Sequence, residues 1–98
     1  MNTKSQATAN TEESLKLGGW SPYREVTIED KIVFDEAMGG IIGVNYTPEM
    51  VSTQVVSGMN YRFKCIASLP SGEDSWMTLV AIYKPLSGKA IVKEIHRI

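Results

Sequence analysis

The sequence predicts an α+β domain: one helix packed on an antiparallel sheet of four to five strands. Three observations predict it. The stretch from Val33 to Ile41 places apolar residues at helical spacing. From Tyr46 onward the chain breaks into β-rich runs separated by short turn-forming segments. Connections that short favour sequential hairpins. A sheet with one polar face then buries its other face against the helix stripe.

Length and composition agree with that class. The chain has 98 residues, enough for one domain with one core. Apolar residues are 43% and charged residues 21% of the total, the proportions of a soluble globular protein. No apolar run nears the roughly 18 residues that suggest a membrane span. The start, "MNTKSQATANTEES", lacks the apolar centre of a signal peptide. The chain as it stands therefore reads as cytoplasmic, or as a mature secreted form with its signal removed. The single cysteine, Cys65, excludes an intrachain disulfide.

Net charge is −1, which argues against nucleic acid as the main partner. The charge is unevenly spread. Residues 1–58 carry four Lys/Arg and eight Asp/Glu, a balance of −4, and residues 59–98 carry six and three, a balance of +3. Arg62, Lys64, Lys84, Lys89, Lys93 and Arg97 alternate with apolar residues, as on a solvated sheet face or a basic docking surface.

Taken in order, residues 1–14 are polar and aperiodic and read as a disordered tail. A single domain over 15–98 follows. "LKLGGW", Leu15 to Trp20, has two glycines and reads as an extended, flexible segment. Thr27 with Asp30 three residues later resembles a capping box. Glu29 and Asp30 then sit in the first helical turn, where the helix dipole favours negative charge. Val33, Phe34, Ala37, Met38 and Ile41 form one stripe, so the helix spans about 28–40. Gly39, Gly40 and Gly43 weaken its far end.

"YTPEMVSTQVV" contains Pro48 and suits an edge strand, or a strand beginning after Pro48. "MNYRFKCIA" alternates: Tyr61, Phe63, Cys65 and Ala67 on one face, Asn60, Arg62 and Lys64 on the other. "LPSGED" is a turn. "SWMTLVAIY" is apolar enough for a central strand, "PLSG" is another turn, and "KAIVKEIHRI" is a last strand with mixed faces. Trp20 and Trp76 read as packing residues.

No catalytic set is legible. His96 is the only histidine and Cys65 the only thiol, and nothing in the sequence brings them within hydrogen-bond reach. A zinc site needs three or four ligands, and no His/Cys cluster exists. "GGIIG" lacks the Lys-Ser/Thr of a phosphate loop. The carboxylate pairs Glu29/Asp30 and Asp35/Glu36 are adjacent on a helix and face different directions. The expectation is a binding protein without cofactor or metal, not an enzyme.

Three segments are left without a structural purpose: Gly18-Gly19, "QVVSG" (Gln54 to Gly58) and "PLSG" (Pro85 to Gly88). In a meander, the first and third turns fall at one end of the sheet and "LPSGED" at the other. The chain before the helix reaches the first end too. An apolar patch with a polar rim at that end would mean a partner.

In this combination the chain resembles the cystatins, protein inhibitors of papain-like cysteine peptidases. The residues that carry the resemblance are Gly18-Gly19, a helix, "QVVSGMNY" (Gln54 to Tyr61) and a late Pro-containing hairpin, in order over about residues 15–98. Without a disulfide or a signal peptide, the chain is similar to the intracellular stefin branch. The second hairpin departs from the family's usual Pro-Trp, reading Pro85-Leu86.

The resemblance implies a cystatin-like fold and reversible, competitive inhibition. Gln54, Val55, Val56, Ser57 and Gly58, together with Pro85 and Leu86, would fill the peptidase cleft without offering a scissile bond. Leu17 would enter a substrate pocket, with Lys16 and Leu15 beyond it. Gly18 and Gly19 would bend the chain away from the catalytic thiolate. Gln54 would bond within the loop or across the interface. A non-inhibitory binding module on the same fold is the alternative. The active form would be a monomer. Val55 and Val56 prefer extended backbone to a turn, so strain in the first hairpin would favour a domain-swapped dimer.

Overall fold

The computed structural model describes residues 18–98. The expected tail 1–14, and Leu15, Lys16 and Leu17, lie outside the described residues. The elements are β1 (Arg24–Glu25), α1 (Ile28–Met38), β2 (Asn45–Val56), β3 (Gly58–Ser68), β4 (Ser75–Lys84) and β5 (Ile91–Arg97). They form one antiparallel sheet in the order β1-β2-β3-β4-β5, with α1 against one face. The α+β prediction of one helix on a four- to five-stranded sheet holds at that level.

The helix starts where its caps are. Thr27 Oγ1 accepts from the Asp30 N–H at 3.2 Å, and Asp30 Oδ2 accepts from the Thr27 N–H at 2.9 Å. This reciprocal box satisfies two donors that would otherwise be orphaned. Arg24 donates to the same carboxylate at 2.5 Å and 3.2 Å, tying β1 to the helix start. Burial alone would raise the Asp30 pKa; the Arg24 and Thr27 hydrogen bonds outweigh it and hold the carboxyl below its usual value. The helix ends at Met38, two residues short of the predicted end, with Gly39 as its cap. Ile41 therefore leaves the stripe and is partly exposed.

The buried face is the one the alternation predicts. Tyr61, Phe63, Cys65 and Ala67 of β3 point inward with Thr78, Val80 and Ile82 of β4. Phe34 meets Phe63 edge to face at 4.9 Å, and Tyr61 stacks on Phe63 at 5.6 Å. Truncating Phe63, fully buried, would cost roughly 3–5 kcal/mol. Cys65 belongs to this core. Burial first, and then the nearby Glu49 charge, push its thiol up to about 12, so it stays protonated and unreactive.

Pro48 lies inside β2 rather than before it, beyond the two residues that β1 covers. The ladder shifts register between Pro48 and Met50, leaving Glu49 as the extra residue of a bulge. A second shift, between Ala81 and Ile82, leaves Lys93 unpaired in β5. That bulge explains the mixed faces of the last strand: Val92 and Ile95 both pack against the core although they are three residues apart.

The chain before β1 is not the flexible segment expected for residues 18–20. It lies antiparallel along β2. Gly18 N donates to Val55 O at 3.3 Å, Trp20 bridges Gln54, and Ser21 N donates to Thr53 O at 2.8 Å. Ser52 Oγ donates to Ser21 O at 2.5 Å and Thr53 N to Ser21 Oγ at 3.0 Å. Trp20 packs as predicted, but on the sheet's outer face: the Arg62 guanidinium lies 3.8 Å from its ring centroid.

Candidate functional site

The first and third turns lie at one end of the sheet, and the "LPSGED" turn lies at the other. The first turn is very short. Val56 pairs with Gly58, Val55 with Met59 and Gln54 with Asn60, so Ser57 alone forms the tip. Val55 and Val56 therefore do not sit in a turn. They are the last residues of β2, half-buried and in the extended backbone they prefer. The strain expected of them, offered as a reason for domain swapping, is absent.

The positive φ falls on Gly58 instead, at 105°. A Cβ there would stand 2.3 Å from Lys84 O and 3.0 Å from Pro85 Cα. Glycine is thus required twice, once for its backbone and once for its missing side chain. It lets the first hairpin lie against the backbone of the second. Tyr83 completes the joint: its hydroxyl donates to Ser57 O at 2.5 Å, and its ring edge would be 3.2 Å from a Gly58 Cβ.

The second hairpin is held from within and from the helix. Lys84 Nζ donates to Gly88 O at 2.6 Å across the turn. Glu36 Oε1 accepts from Ala90 N at 2.8 Å and from Lys84 Nζ at 3.4 Å. The Ala90 N–H first, and Lys84 after it, hold the Glu36 carboxyl below its usual value. Pro85 is half-buried, whereas Leu86 projects with 82% of its surface exposed. An apolar side chain that exposed at a fixed tip is available to a partner.

Gln54 joins the third segment to these two. Its Nε2 donates to Gly18 O at 3.1 Å, and its Oε1 accepts from Asn60 Nδ2 at 2.8 Å. The side chain is committed within the protein, between β3 and the arm. Gly18 has φ 83° with open space around it, and Gly19 is half-buried beside it. Of the ten residues singled out from sequence, nine converge at one end of the sheet; the tenth, Leu17, lies outside the described residues.

Sequence reasoning missed Tyr83, Asn60 and Lys84 as parts of this end. The Asn60 partnership was recoverable, because Gln54 and Asn60 are equidistant from Ser57 and a one-residue tip must pair them. No local signal marks Tyr83, which reads as one more aromatic in a β-rich run. Cys65 faces the core, and His96 is exposed on the outer face, so the two do not form a pair. Among the described residues, no three of His, Cys, Asp and Glu come together as a metal site would require. No helix among them is long and apolar enough to cross a membrane. No family model and no curated protein match the chain.

Proposed function

We propose that the chain is a reversible, competitive inhibitor of papain-like cysteine peptidases. The observation that carries this reading is the wedge end: Gly18, the Ser57 tip and Pro85-Leu86 held together by Gln54 and by the Gly58–Lys84 contact. Two hairpin tips and an arm abreast have the shape that fills a groove. The resemblance of "QVVSG", Gly18-Gly19 and the Pro85 hairpin to cystatins supplies the peptidase class. In this reading the fold is cystatin-like and the inhibitor acts as a monomer without cofactor or metal.

Energetically the wedge leans on Leu86. Burying it would contribute roughly 1.5–3 kcal/mol. Val55 and Val56 are already half-buried and have less surface to give. The arm is pinned from Gly18 onward, so less ordering entropy opposes binding there. The residues before Gly18, including Leu17, would continue along the cleft.

A second reading, a binding module that inhibits no peptidase, is favoured by one observation: Leu86 stands where cystatins usually carry Trp. Titrating papain with the purified chain at several substrate concentrations separates the two. The inhibitor reading expects the apparent inhibition constant to rise linearly with substrate. Full papain activity at micromolar protein, repeated across related peptidases, would favour the second.

A further inference from the structure

The face of the sheet opposite the helix carries a cleft of about 460 Å³, which Trp20 and Asn60 of the wedge end also line. Leu79 and Ala81 of β4 form its floor. Trp20 and Arg62 line one side, and Lys93 and His96 line the other. We propose that this trough is a docking site for an extended acidic peptide of a partner protein.

The floor sets the shape of the occupant. Outward residues of β4 are Met77, Leu79 and Ala81, every second position along the strand, before Tyr83, which is engaged with Ser57 at the wedge. They recur every ~6.6–6.8 Å, which is the side-chain repeat of an extended peptide. Ile66 pairs with Met77 and continues the apolar floor at the far end; both are partly exposed. A floor of three such positions suits a chain segment better than a compact molecule.

The walls set the charge. Glu94 also lines the cleft, and its Oε2 is turned to His96 Nδ1 at 3.0 Å. Arg62, Lys64 and Lys93 have no carboxylate within ion-pair distance among the described residues. Arg62 lies over Trp20, and Lys64 Nζ is 4.1 Å from the Tyr23 ring centroid. Stacking on one face leaves the N–H edge of the guanidinium free to donate to a carboxylate. Trp20 thus holds the Arg62 guanidinium on one wall while Lys93 lines the other, at the β5 bulge. An occupant with apolar residues toward β4 and carboxylates toward the walls meets both demands.

The test uses a fluorescein-labelled octapeptide of alternating glutamate and leucine, titrated with the full chain and followed by anisotropy. Saturable binding that weakens with salt, and is absent for the lysine-leucine counterpart, is expected. Lys93→Glu, an exposed change at a bulge, should weaken it about ten-fold, and Arg62→Gln should do the same with the circular dichroism of Lys93→Glu unchanged. No binding at millimolar peptide would overturn the proposal. So would equal binding by the variants, equal binding of the lysine peptide, or binding of phosphatidylserine vesicles in place of the peptide.

Discussion

The Tyr83 hydroxyl donates to the Ser57 carbonyl at 2.5 Å, so a strand-end side chain of β4 fastens the tip of the β2–β3 hairpin. With the Gly58–Lys84 approach, it makes the two tips one body. Tyr83→Phe removes the hydroxyl and keeps the ring against Gly58. A single hydrogen bond contributes about 0.5–1.5 kcal/mol net, so Tm should fall slightly. Inhibition of papain should weaken several-fold, mainly through faster dissociation. An unchanged dissociation rate would remove Tyr83 from the wedge.

Gln54→Leu cuts both the Gly18 and the Asn60 bonds while keeping a side chain of similar size. The arm then keeps its backbone contacts, Gly18 N to Val55 O and the Trp20–Gln54 bridge, without the side-chain tie. The Gly18 amide should exchange with solvent faster, while core amides of β3 stay protected. Equal protection of Gly18 in both proteins would show that Gln54 does not fix the arm.

Asp30 links acid stability to the helix start. Its folded pKa lies below the unfolded one, near 3.9. Such a carboxyl contributes its stability above the unfolded value and loses it as pH falls through the folded value. Asp30→Asn keeps an acceptor oxygen for the Thr27 N–H but loses the charge paired with Arg24, so it should cost up to about 1 kcal/mol at neutral pH. The gap between the two proteins should close below about pH 4. Denaturant unfolding at pH 7 and pH 3 measures it; a gap that widens in acid would reverse the assignment.

Leu86 can be changed without disturbing the fold, being exposed at the tip. Leu86→Trp should tighten papain inhibition, since the larger side chain brings more apolar area to the interface. Leu86→Ala should weaken it by roughly 1–2 kcal/mol, part of a leucine's burial value. Equal inhibition constants for all three proteins would take the second hairpin out of the contact.

Much of this architecture was legible because the patterns are local. The Thr27–Asp30 box, the Val33–Met38 stripe and the β3 alternation each depend on residues a few positions apart. What escaped depends on long-range pairing. β1 is two residues with no period of their own, made a strand only by Val51 and Met50 across the ladder. The arm reads as flexible because its two glycines are visible and its bonds to Thr53 and Val55 are not. In β5 a bulge at Lys93 changes the period midway, which no alternation rule anticipates. For the candidate site, the residues were legible and the stitching was not. Gly58 reads as a turn glycine, whereas its contact with Lys84 O, 26 residues on, is what excludes a side chain.

That contact offers the most direct test of the wedge. Papain inhibition constants should be measured for the wild type and for Gly58→Glu, with the far-UV circular dichroism of both recorded beside them. A side chain at position 58 meets Lys84 O and Pro85 and forces the hairpins apart. A folded Gly58→Glu protein that has lost competitive inhibition by at least a hundred-fold, against a wild type that inhibits, is the result expected. Equal inhibition by both proteins, or none by the wild type, would contradict the wedge.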